Sequence, residues 1–130
     1  MESLRADLAS EVERVADRLR SMSQAKLTGP VLGHTSRAHA ARSAAQALAD
    51  AAAVIEAGCP VDAAALPAKR PVPVLSEFAA GDQVAVTGHD LILALEILAL
   101  EAPLPHDIEP TATALVTQAL EQLRTLRRLL

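Results

Sequence analysis

Four stretches of this chain place their apolar residues at alternating steps of four and three, and that spacing constrains the fold more than any other feature. Leu8, Val12, Val15, Leu19 and Met22 form the first seam. Ala38, Ala41, Ala45, Leu48, Ala52 and Ile55 form the second. Val84, Gly88, Leu91, Leu95 and Leu98 form the third, and Ala112, Val116, Ala119, Leu123, Leu126 and Leu130 the fourth. Such a stripe lies along one side of an α-helix and must be buried against another element. The spacing predicts an all-α fold, a four-helix bundle with helices over about 3–26, 36–57, 82–101 and 108–130.

The boundaries follow from local chemistry. Thr28-Gly29-Pro30 ends the first helix, with Gly29 expected in the left-handed cap conformation. Thr35 or Ser36 caps the second, and Gly58-Cys59-Pro60 stops it. Asp107 or Glu109 opens the fourth, with Pro110 in the tolerant first turn. Pro60, Pro67, Pro71 and Pro73 forbid a long helix between the second and third, so a Pro-rich connection is expected there. Lys69-Arg70-Pro71-Val72-Pro73 reads as extended, with short turns at Asp62 to Ala65 and at Ser76 to Phe78. Residues 84–90 carry two readings: a strand and turn, or the front half of a continuous third helix. The continuous helix keeps the four-three spacing and sets Gly88 at a close contact.

The chain has 130 residues, enough for one domain over 1–130 with an ordinary core. With a single cysteine, Cys59, no internal disulfide forms, and a half-buried structural thiol is expected there, since no basic residue adjoins it to lower its pKa. No signal peptide or membrane span is read from the sequence, so the expected location is the cytoplasm. The net charge of −4 argues against a nucleic-acid partner. Phe78 is the only aromatic residue, which removes stacking platforms for bases and cages for cationic ligands. Abundant alanine favours helix over strand and lets helices approach closely. Glu2, Arg5, Glu11, Arg14, Arg18 and Arg20 stay off the first seam and read as a solvated face.

Catalytic patterns are missing from the sequence. The histidines, His34, His39, His89 and His106, have no cysteine or carboxylate at metal-ligand spacing, and no zinc or di-iron helix motif occurs. No metal and no cofactor is expected, and a non-catalytic domain is favoured over an enzyme. What the third helix does show is a second apolar stripe, Val86, Leu93, Ile97 and Leu100, opposite its seam and flanked by Asp90, Glu96 and Glu101. A helix in a monomeric bundle needs one apolar side, so a second side implies another chain or an internal cover. The leading expectation is an interaction or scaffold domain, a homodimer or the partner of another protein, meeting it through these four residues. The internal alternative is a cover made from Leu66, Val72, Val74, Leu75 and Phe78.

Two other functions compete. His39, Ser43, Gln46 and Asp50 fall on one polar stripe of the second helix, with Arg42 beside it. The run His39-Ala40-Ala41-Arg42-Ser43-Ala44-Ala45 resembles the histidine phosphotransfer motif, in which an exposed bundle histidine is followed by a basic and then a small residue. The resemblance implies phosphoryl acceptance at His39, charge support from Arg42, and room for a receiver at Ser43. It covers seven residues and departs from the family at Ser43, where glycine is usual. The third expectation is a small enzyme or ligand-binding bundle with a pocket near the bundle end, using His34, His89 or His106.

Overall fold

The computed structural model describes residues 1–60, 62–101 and 103–130. It is all-helical, with five α-helices: α1 (Glu2–Arg20), α2 (Gln24–Thr28), α3 (Arg37–Glu56), α4 (Ala80–Ala99) and α5 (Ile108–Leu129). Two short 3-10 turns, Ala63–Ala65 and Glu77–Ala79, lie between α3 and α4. Among the described residues there is no strand, only an isolated bridge between Val31 and His34. No helix is long and apolar enough to cross a membrane among those residues.

The first predicted helix is two. The chain leaves α1 at Ser21, whose hydroxyl donates to the Arg18 carbonyl at 2.8 Å, and restarts at Ser23, whose Oγ accepts the Lys26 amide at 3.2 Å. Serine side chains compete for backbone partners in this way, and two of them flanking Met22 outweigh the helical spacing. Met22 stays buried, so the seam outlasts the helix. Gly29 is not left-handed; its backbone is extended, at φ −68° and ψ 143°. A Cβ there would sit 2.9 Å from the Arg37 guanidinium, which would have to swing aside.

The other helices start and stop close to expectation. Ser36 caps α3 by accepting the His39 amide at 2.9 Å, and Gly58 follows its end with φ +83°. Residues 84–90 are helical throughout, within α4, which disposes of the strand and turn. Every residue of the third and fourth seams is buried.

The four long helices meet in a cycle. The most extensive interfaces are α3 with α4 and α1 with α4; α5 contacts both α1 and α3. Helices α1 and α4 run antiparallel, since Val12 faces Gly88 while Ala16 and Arg20 face Gly81. Their backbones are drawn together by the two glycines, seven residues apart on one side of α4. A Cβ at Gly88 would lie 2.6 Å from both Val12 methyls, and one at Gly81 would lie 2.9 Å from the Ala16 carbonyl. Between α3 and α4 the small partner is alanine, with Ala41, Ala45 and Ala52 all buried along α3.

One charge is buried with the core. Glu11, expected on the solvated face, is only 3% exposed. The Arg127 guanidinium donates to it at 2.5 Å, and Arg14 lies 3.6 Å away. A buried carboxylate requires such a partner, and this one pins the end of α5 onto α1.

Candidate functional site

The outer face of α4 follows from its sequence pattern. With one side of the helix committed to α1 and α3, a side chain half a turn away points to water. Val86 is 59% exposed, Leu93 54%, Ile97 52% and Leu100 85%. All four expected interface residues therefore share one outward stripe in the single chain. Asp90 and Glu96 are exposed beside it, and His89 Nε2 lies 2.9 Å from Glu13 Oε1 across the α1 contact.

The Pro-rich segment borders Val86 and leaves the rest of this stripe uncovered. Leu66, Val74, Leu75 and Phe78 remain largely exposed, and of the expected cover only Val72 packs against the core. The segment instead lies as a strap along α3 and reaches α4 through one side chain. Gln46 of α3 holds it from both sides, accepting the Val72 amide at 2.7 Å and donating to the Arg70 carbonyl at 2.9 Å. Arg42 Nη2 donates to the Leu75 carbonyl at 3.3 Å, and Gln83 of α4 donates to the Pro73 carbonyl at 2.6 Å. Arg70 lies 3.5 Å from Glu56 and Lys69 4.0 Å from Asp50. These amide and guanidinium groups replace the partners that an extended, proline-interrupted backbone cannot find in itself. The polar stripe read on α3 is thus divided: Gln46, Asp50 and Arg42 serve the strap, while His39 and Ser43 stay exposed.

Beneath the strap is a cavity of about 460 Å³ between α3 and α4. Gln83, 7% exposed, forms part of its wall. Its Nε2 is occupied by Pro73, and its Oε1 has no hydrogen-bond partner. A buried acceptor left unpaired costs roughly 1–3 kcal/mol. Sequence reading missed this site because its walls come from three segments and most of its lining is alanine, valine and proline.

His39 is brought beside His34, with the two Nδ1 atoms 3.2 Å apart, one ring donating to the other. The Nε2 of His39 makes no hydrogen bond among the described residues. Arg42, turned toward Leu75, is drawn away from a role beside His39. The histidines do not converge on a common site: His34 lies at the cleft between α3 and α5, His89 on the α1 side of α4, and His106 in the connection before α5. Among the described residues no three His, Cys, Asp or Glu side chains gather as a metal site. Cys59 is buried, and desolvation pushes its thiol pKa up, which disfavours the thiolate a nucleophile needs. The chain matches no protein-family model, no curated protein and no solved structure, so its surfaces are read from their own chemistry.

Proposed function

We propose that the protein is a non-catalytic four-helix-bundle interaction domain that self-associates through the outer face of α4. The observation that carries this reading is the stripe Val86, Leu93, Ile97 and Leu100, each more than half exposed, with only Val86 bordering the strap. The cycle of contacts among α1, α4, α3 and α5 supports the bundle, with α2 and the strap as additions to its connections. Fully burying such a side chain is worth roughly 1.5–3 kcal/mol. About half of that remains available at each of these positions. A contiguous apolar stripe of this kind marks an interface, and a twofold contact is the commonest closed arrangement of identical chains.

Sedimentation velocity across a micromolar concentration series tests the proposal. The wild type is expected to dimerise, and Ile97→Glu to be monomeric because it places an unpaired charge at the contact. The acidic flank gives a second signature. A twofold axis brings Asp90 and Glu96 of one copy near the same groups of the other, so added salt screens repulsion and strengthens the dimer. A wild-type protein that stays monomeric throughout the series overturns the reading.

A second reading, phosphotransfer at His39, draws support from one observation: the contact with His34 holds the ring by Nδ1 and leaves Nε2 free. Incubation with a small phosphodonor is expected to label the wild type and not His39→Gln. Equal labelling of both removes it.

A further inference from the structure

We propose that the cavity beneath the strap binds an elongated apolar amine, a molecule with an alkyl body, an ammonium group at one end and a hydrogen-bond donor at the other. Its floor is Ala49, Ala52 and Ala53 of α3, and its roof is Pro71, Val72 and Pro73 of the strap. Three methyl-sized side chains in succession leave open the space that larger residues fill elsewhere in a core. The volume of about 460 Å³ falls in the range of small-molecule sites, which are apolar with a few placed polar groups.

Two polar groups of this cavity are open to a ligand, one a buried acceptor without a partner and the other an exposed acid without a cation. The first is the Gln83 side-chain oxygen, an acceptor sealed from water while the strap is closed and reached by a ligand as the strap parts. Among the described residues, the other unpaired buried side-chain atoms are guanidinium nitrogens of arginines that are themselves only partly buried. The second is Asp90. Of the three acids around the cavity, Glu56 is held by Arg70 and Asp82 by Arg20 at 2.9 Å, while Asp90 has no cationic partner among the described residues. With Glu56 and Asp82 each neutralised by an arginine, the one uncompensated charge at the cavity is that of Asp90, and it favours a cationic group there.

Gln83 and Asp90 lie on one side of α4, seven residues and about 10.5 Å of helical rise apart. An amine on Asp90 therefore does not reach Gln83 unless the molecule is extended, and the alanine floor between them accepts methylene groups and nothing polar. The strap also closes over the site by side-chain hydrogen bonds from Arg42, Gln46 and Gln83, which can part and re-form without unfolding a helix.

The probe is hexamethylenediamine, titrated into full-length protein with the methyl groups of Val72 and Val86 observed by NMR. Both side chains line the cavity. Saturable shifts confined to cavity methyls are expected. Asp90→Asn, an exposed position that leaves the fold intact, is expected to weaken binding roughly tenfold by removing the ammonium's partner. Hexanediol, of the same length without charge, is expected to bind more weakly still. Ala49→Leu is expected to fill the space and abolish the shifts, and repeating the titration in monomeric Ile97→Glu, where Val86 reports on the cavity alone, is expected to retain them, which separates this site from self-association. The proposal falls if Val72 and Val86 do not respond, if hexanediol binds as well as the diamine, or if Asp90→Asn binds like the wild type. Shifts spread over the acidic surface and indifferent to Ala49→Leu also overturn it.

Discussion

At Gly88 a single hydrogen atom decides how close two helices come. The sequence places this glycine on the seam of α4 and so makes a close contact legible, but it does not say what stands opposite. Judged on helix propensity alone, alanine there is neutral or helpful, worth about 1 kcal/mol over glycine. The structure puts fully buried Val12 2.6 Å from the new Cβ, where it has no room to yield. Overpacking of this kind costs about 1–3 kcal/mol, so Gly88→Ala is expected to destabilise by about 1 kcal/mol net in urea unfolding. Adding Val12→Ala to it is expected to cost less than the sum of the two single changes, the mark of a direct contact. Cys59 offers a second residue-scale expectation. Burial raises its thiol pKa, so the folded chain keeps the proton to higher pH than the unfolded chain. Stability from this group is intact below the ordinary thiol range and is lost as pH rises through it and beyond. The urea midpoint of the wild type is expected to fall further between about pH 8 and about pH 10 than that of Cys59→Ala.

Among the elements, those with an unbroken apolar period were readable and those held by distant side chains were not. The burial of α3, α4 and α5 follows from spacing that any helix of this pattern shares. The break at Ser21–Ser23 does not, because two hydroxyl groups with local backbone partners override a period that continues through them. Glu11 falls outside the seam by spacing, and only the approach of Arg127 from the far end of the chain accounts for its burial. The strap is the clearest case. Four prolines announce an extended connection, but its path is set by Gln46, more than twenty residues earlier, which reads in sequence as one more polar position on α3. Replacing Gln46 with alanine removes two strap contacts, each worth about 0.5–1.5 kcal/mol net. Amide exchange is expected to show Val72 losing protection while the interior of α3 keeps its own. If Val72 exchanges at the wild-type rate, the strap is held by something other than Gln46.

For the molecule as a whole, the cycle α1–α4–α3–α5 has a consequence for when this chain can fold. The strap divides the sequence into a front portion with α1 and α3 and a rear portion with α4 and α5. Every extensive interface among the long helices joins one portion to the other: α3 to α4, α1 to α4, α1 to α5 and α3 to α5. A nascent chain that has emerged only as far as the strap thus holds two amphipathic helices with no proper surface to bury, and isolated helices of about this length are marginal in water. Folding must wait for the second portion, and most stabilising contacts then span long sequence separations, which slows a helical protein relative to one built from neighbouring hairpins. Separately made fragments 1–66 and 67–130 are accordingly expected to show little helical circular dichroism alone and to recover it on mixing. Strong helix in either fragment by itself would place the folding unit within one half. On this account neither half holds a fold until the other is there to receive it.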